Sequence, residues 1–303
     1  MKRIRANGIE FACLEQGSGP LVVLLHGYPD NAHSWSRQMP ALAEAGYRVV
    51  APNTRGYPPT EIPADGFYDR GTLATDVAEL IRAFGGGEPA CLVGQDWGAV
   101  VTYSVIAAFP ELVRRAVVMA VPHPAVIGAT LLDAAQVHRS FHWWFFQVAD
   151  FPEMALAANN FAFIDYLWKF WTSAGYEDAE HIAGIKRMLA EPGAVAATLG
   201  YYRAMIDRSR MDPCLDDVRD AIARPIGVPT LAICGGDDSR GELMKEQAGY
   251  FRGEYRYEVV PGAGHFVHRE KPSEVNALLL DWLGSGTIPV VPDPIPLVPD
   301  PIT

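Results

Sequence analysis

Residues 90–98 read Ala-Cys-Leu-Val-Gly-Gln-Asp-Trp-Gly, and they decide the fold. Ala90 to Val93 is a short apolar run of the kind that forms a strand buried on both faces. It runs straight into Gly94-Gln95-Asp96-Trp97-Gly98, and Ala99 to Phe109 continues at helical spacing until Pro110 stops it. A strand that turns sharply into a helix needs small residues on both sides of the turn, and it lifts the central side chain above the sheet. That side chain is Asp96. Aspartate is also a good helix N-cap, so the pentapeptide alone leaves both readings open.

The same alternation of strand and helix extends outward in both directions. Leu21 to Leu25 is a second all-apolar run, closed by His26-Gly27. A helical stretch around Trp35 to Glu44 leads to a strand at Tyr47 to Ala51. Thr72 to Phe84 has helical spacing and ends in three glycines, and Arg115 to Ala120 is again strand-like. From about Ala125 to Arg224 no sheet strand is apparent and aromatics crowd in, from Phe141 through Trp171 to Tyr202. Strand signals return at Thr230 to Cys234 and Tyr255 to Val260, before a last amphipathic helix at Glu274 to Leu283. The pattern predicts an α/β fold with a mostly parallel twisted sheet flanked by helices. A core of residues 1–122 and 225–286 would be interrupted by a helical cap at 123–224. A Pro-rich tail at 287–303, with Pro-Asp-Pro-Ile twice, reads as extended or disordered.

A formal charge of −11 on 303 residues argues against a nucleic-acid surface, which needs a basic face. No run of 18 apolar residues spans a membrane, and the basic N-terminus is not followed by an apolar signal core. Cys91 and Cys234 lie in apolar strand-like runs, where reduced buried thiols are expected. A cytoplasmic protein without metal or cofactor is the resulting expectation; oligomeric state is not readable.

If Asp96 is a nucleophile, a general base and a carboxylate to orient it must follow late in the chain. Gly262-Ala263-Gly264-His265-Phe266 supplies His265 after one strand, and Gly235-Gly236-Asp237-Asp238 follows the strand before it. Both aspartates are placed for the orienting role, and the G-x-x-D spacing favours Asp238. His268 lies past the turn and is the weaker candidate base. The order nucleophile, acid, histidine is that of α/β-hydrolases. His26-Gly27-Tyr28-Pro29 follows the first strong strand, where the backbone N–H of Tyr28, with that of Trp97, would form an oxyanion hole. The aspartate has a chemical reason. A serine opening an epoxide would form an ether that histidine-activated water cannot cleave, whereas a carboxylate forms an ester that it can.

These residues resemble the epoxide hydrolase and dehalogenase branch of the α/β-hydrolases. His26 to Pro29 is similar to its HGxP motif, Gly94 to Gly98 to its G-x-D-W-G elbow, and Asn53-Thr54-Arg55-Gly56-Tyr57 to its D-x-R-G-Y loop, with Asn53 in place of Asp. The resemblance covers about Ile4 to Leu283. It implies that Tyr202, in Gly200-Tyr201-Tyr202-Arg203, donates a proton to the epoxide oxygen. His142, in the aromatic segment Phe141 to Phe146, stands where a second donor tyrosine is expected. It also places His26, Pro29, Trp143 and Phe266 around a small apolar epoxide, with water as co-substrate. Fluoroacetate-type dehalogenases are the rival, but their elbow carries two arginines where Trp97 and Val100 stand here. Haloalkane dehalogenases commonly have Asn where Tyr28 stands. A third possibility, a non-catalytic binding module, typically lacks part of the triad that Asp96, Asp238 and His265 complete.

Overall fold

The computed structural model describes residues 1–284. The expected tail at 287–303 lies outside the described residues. Eight strands form one sheet: β1 (Lys2–Ala6), β2 (Ile9–Gln16), β3 (Leu21–Leu25), β4 (Arg48–Pro52), β5 (Ala90–Gln95), β6 (Val113–Met119), β7 (Thr230–Gly235) and β8 (Tyr255–Val260). Their order is β1-β2-β4-β3-β5-β6-β7-β8. β1–β2 and β2–β4 pair antiparallel, and every other neighbouring pair is parallel.

The apolar pattern does not single out the first hairpin, although a local signal for it is present. Asn7-Gly8 joins β1 to β2 in a two-residue turn with both φ positive, the geometry for which Asn-Gly is favoured. Short, polar edge strands such as Lys-Arg-Ile-Arg-Ala lack the continuous apolar run by which central strands are recognised.

The central strands are buried throughout, and alternate side chains feed two cores. Leu21, Val23 and Leu25 point into one with Leu92, Leu73 and Val105. Val22 and Leu24 point into the other with Trp35, Leu42, Leu279 and Trp282. Each such Leu or Val taken from water stabilises the fold by roughly 1.5–3 kcal/mol. The first core is covered by α2 (Arg70–Gly85) and α3 (Trp97–Ala108), the second by α1 (Gln38–Glu44) and, late in the chain, the helix Pro272–Gly284. The expected helix over Trp35 to Glu44 is divided. A 3₁₀ turn at Ala32–Trp35 is capped by the Asn31 side chain, and α1 begins afresh two residues before Pro40, a position in the first turn that proline tolerates.

Between β6 and β7 the chain leaves the sheet and builds α4 (Pro124–Thr130), α5 (Ala134–Arg139), α6 (Phe141–Phe145), α7 (Phe151–Trp171), α8 (Ala179–Leu189), α9 (Ala194–Arg203) and α10 (Asp216–Ile222). α7 is kinked where Ala158 to Phe161 leave helical geometry. α11 (Gly241–Lys245), α12 (Val267–Glu270) and α13 (Pro272–Gly284) complete the chain as described. No helix among the described residues is long and apolar enough to cross a membrane.

Candidate active site

Four segments of the site hang from the carboxyl ends of parallel strands: His26 to Tyr28 after β3, Asp96 after β5, Asp238 after β7 and His265 after β8. Asp96 itself has φ 53° and ψ −119°, outside the comfortable regions for a non-glycine residue. The turn is held by close backbone approach. A Cβ on Gly94 would lie 2.1 Å from the Gly98 carbonyl oxygen, and one on Gly98 would lie 2.0 Å from that of Leu25. Gly27 is needed for the same reason, since its Cβ would meet the Asp96 side chain at 2.3 Å.

The alternative reading of Asp96 as a helix cap has a direct geometric answer, because its carboxylate makes no capping hydrogen bond to α3. Instead Oδ1 accepts the Tyr28 backbone N–H at 2.9 Å. Oδ2 lies 3.3 Å from His265 Nε2, in ion-pair range but off hydrogen-bond alignment. His265 Nδ1 faces Asp238 Oδ2 at 3.1 Å. Asp237 is exposed on the same loop, and His268 belongs elsewhere: it bonds Ser34 Oγ at 2.7 Å beneath Trp35. Burial pushes the Asp96 carboxyl up, but His265, the Tyr28 N–H and Arg240 hold it below the ordinary range. Asp238 behaves likewise: burial raises it, and Arg240 and His265 bring it down past the usual value.

Arg240 is the residue that sequence reasoning missed. Its backbone N–H donates to Asp238 Oδ1 at 2.9 Å, and its Nη1 reaches 3.2 Å from His265 Nδ1. Two residues past Asp238 in a loop, it had no periodicity or motif to mark it.

Tyr202 and His142 converge from α9 and α6. Their rings lie 5.5 Å apart, edge to face, and Tyr202 also packs edge-on against Tyr28 and Trp97. Burial, reinforced by the Asp96 charge, drives the Tyr202 hydroxyl far above its ordinary pKa, so it is a neutral O–H. Burial and the Arg240 charge drive His142 well down, and its Nδ1 is enclosed with no hydrogen-bond partner. Adjacent Tyr201 is committed differently, donating to the Arg55 carbonyl at 2.7 Å.

A cavity of about 220 Å³ opens on Asp96, walled by Trp97, Val100, Ile127, Leu131, Trp143 and Met205 among others. Of the four residues expected around the substrate, only Trp143 lies on this wall. His26 is buried instead, its Nδ1 2.9 Å from the Gly27 carbonyl oxygen and its Nε2 accepting the Thr54 N–H, so it fixes the loop. The Pro29 carbonyl accepts from the Trp168 indole, and Phe266 stacks on Trp168 at 3.7 Å and 2°. Both residues therefore hold the inserted helices to the core. Asn53 suits its site as a neutral amide: Oδ1 accepts from Ala32 N–H and Nδ2 donates to the Ala12 carbonyl. The ion pair of that loop is made by Arg55 with buried Asp76 at 2.7 Å.

An eight-stranded sheet with this order, carrying a strained acidic elbow, a histidine and a second carboxylate beyond successive strand ends, defines a hydrolase architecture. The family described as alpha/beta hydrolase fold matches residues 20–272, and the chain belongs to it. The chain is 32% identical over 289 residues to the AB hydrolase superfamily protein YfhM of Bacillus subtilis, covering 92% of this chain and 96% of that one. It is 30% identical to Epoxide hydrolase A of Mycobacterium tuberculosis (92% and 96% covered) and 28% identical to a fluoroacetate dehalogenase of a Burkholderia species (89% of each). Among solved structures, Epoxide Hydrolase A from Mycobacterium thermoresistibile superposes with a TM-score of 0.80 at 27% identity, covering 94% of this chain and 98% of that one.

Proposed function

We propose that this enzyme hydrolyses epoxides to vicinal diols through a covalent ester on Asp96, beneath a helical cap formed by residues 123–224. The observation that carries the reading is the Asp96 carboxylate on the elbow, free of capping duty and facing His265. Asp96 attacks an oxirane carbon, the C–O bond breaks, and Tyr202 protonates the departing oxygen, with His142 beside it. Water, deprotonated by His265, then adds to the Asp96 carboxyl carbon. The Tyr28 and Trp97 N–H groups hold the oxyanion. Collapse expels the glycol alkoxide, which takes the proton from His265, and the Asp96 carboxylic acid returns a proton to the Tyr202 phenolate. Asp238 keeps the imidazole oriented throughout.

The similarity to a fluoroacetate dehalogenase keeps halide chemistry as the second reading. Trp97 and Val100 stand at the two elbow positions where an arginine clamp for a small haloacid would lie, and the arginines that line the cavity, Arg70 and Arg219, are outside the elbow. A single-turnover reaction with styrene oxide in heavy-oxygen water distinguishes them. Label in the Asp96 peptide, with an unlabelled first diol, is the expected result, and His265→Gln should trap the alkylated peptide. Halide release from chloroacetate or a haloalkane, with no diol from any epoxide, would replace this reading with a dehalogenase.

A further inference from the structure

A second cavity, of about 460 Å³, adjoins the Asp96 cavity and shares Arg70, Pro124 and Arg219 with it. Its charged lining is one-sided. Arg70, Arg219, Arg224 and Arg252 face it, and among the described residues no aspartate or glutamate does. In a chain with a formal charge of −11, four arginines around one hollow, of which only Arg219 is ion-paired among the described residues, are a local reversal of sign.

The four are not equally free. Arg219 is held by Asp69 at 2.9 Å, by Asp216 at 2.5 Å and by the Asp212 carbonyl, and it forms a fixed part of the wall. Asp69 lines the shared mouth but is saturated, accepting from Gly71, Thr72, Asp212 and Arg219. Among the described residues the Arg252 side chain is tied only to the Gly249 carbonyl, at 3.2 Å. The guanidinium groups of Arg70 and Arg224 make no hydrogen bond or ion pair among the described residues, although Asp69 lies close enough to act on Arg70 by charge. On the floor His123 stacks on Tyr250 at 4.5 Å and 8°, and its backbone N–H donates to Gln247. Between this hollow and Asp96 the first cavity is mainly apolar, with Val100, Ile127, Leu131 and Met205 on its walls.

A largely apolar cavity that holds the Asp96 carboxylate and adjoins a hollow rimmed by the exposed, uncommitted guanidinium groups of Arg70 and Arg224 suits an elongated, amphipathic ligand. Two planar guanidinium forks match a carboxylate's paired oxygens. We infer that the hollow lined by Arg70, Arg224 and Arg252 is an anion subsite that seats the carboxylate of an aliphatic substrate whose reactive carbon reaches Asp96. Resting on the epoxide reading, this makes the preferred substrate an epoxide on a chain that ends in a carboxylate.

The test compares an ω-epoxy fatty acid with its methyl ester, alongside calorimetric binding of octanoate and 1-octanol, which needs no turnover. Wild type is expected to prefer the acid over the ester at least tenfold in kcat/KM at low salt, with the preference shrinking as salt screens the charges. In Arg70→Gln, Arg224→Gln and the double variant, the acid-to-ester ratio should fall toward one and octanoate should bind at least fivefold more weakly. Neither guanidinium has a bond to lose, so the variants should fold, and thermal midpoints check that. Equal rates for acid and ester, or octanoate binding indifferent to the substitutions, would overturn the subsite. Absence of diol from both compounds, with octanoate binding still dependent on the arginines, would remove the epoxide reading and leave the subsite standing.

Discussion

Arg240 holds Nη1 3.2 Å from His265 Nδ1, the nitrogen that also faces Asp238 at 3.1 Å. An N–H on Nδ1 directed to Asp238 leaves no lone pair there for Arg240, so the guanidinium acts on the ring through its charge. Burial, then Arg240, pull the His265 pKa down, but the Asp238 hydrogen bond and Asp96 outweigh them and set it above the ordinary imidazole value. Free His265 should therefore become charged as pH drops through a pKa above about 6.5. Arg240→Gln removes a cation and should move that pKa upward. NMR titration of the His265 ring in the unreacted enzyme checks this, and an unmoved or lowered pKa would show that Arg240 is only structural.

Esterification of Asp96 cancels one of the two charges that raise His265. The histidine should consequently be a weaker base in the covalent intermediate than in the free enzyme, and stay neutral to lower pH when water must be activated. Asp96→Asn imitates the loss of charge. NMR titration of the His265 ring should give a lower pKa in this variant, and a value equal to wild type would exclude the coupling.

Tyr202 is expected to act on ring opening alone. Tyr202→Phe should slow alkylation by about 100-fold or more, within the usual range for a general acid, and leave hydrolysis of a preformed ester nearly intact. Stopped-flow fluorescence, with Trp97 beside the tyrosine, separates the two steps. A loss below threefold would hand the role to His142.

Gly98→Ala should destabilise the fold by about 3 kcal/mol, at the upper end for overpacked sites, because the Leu25 carbonyl oxygen is backbone and cannot swing aside. Denaturant titration measures it. Gly128 is the control, because a methyl group added there would meet no atom within 4 Å beyond its chain neighbours and its own helix backbone. Equal effects at both positions would refute the steric account.

Buried Asp30 receives His181 Nε2 from α8 at 2.7 Å and the Ser34 hydroxyl at 2.6 Å. Although burial raises its pKa, His181 and Arg269 bring it well below the ordinary carboxylate value. A depressed carboxylate stabilises above its unfolded pKa of about 3.9, and that contribution disappears as pH falls through the lower folded value. Asp30→Asn should lose stability at neutral pH and show a shallower decline in acid. A parallel decline in the two proteins would dissociate Asp30 from acid unfolding.

The central strands, the elbow and the order of Asp96, Asp238 and His265 were legible because each rests on local pattern: apolar runs, glycine spacing and position after a strand. What could not be read depends on contacts between distant segments. Phe266 looks like a substrate contact beside His265, but its partner Trp168 lies 98 positions earlier in the chain, and their stacking takes it off the cavity wall. Arg240 was missed because a loop residue acquires meaning only from where its long side chain arrives. The Asn7-Gly8 hairpin, by contrast, is written locally and simply outweighed by the polarity of β1.

The end of α7 is attached to the loop of His265 by main chain as well as by stacking. The Trp171 carbonyl accepts the His265 N–H at 2.8 Å, and Glu270 bonds Ser173 and Gly264 together. A shift of this helix end would carry the imidazole with it, so the inserted segment is hung like a door whose hinge post also bears the lock. Widening the passage without misaligning the base falls to the opposite jamb, the stretch from Pro124 to Leu131 that walls the Asp96 cavity.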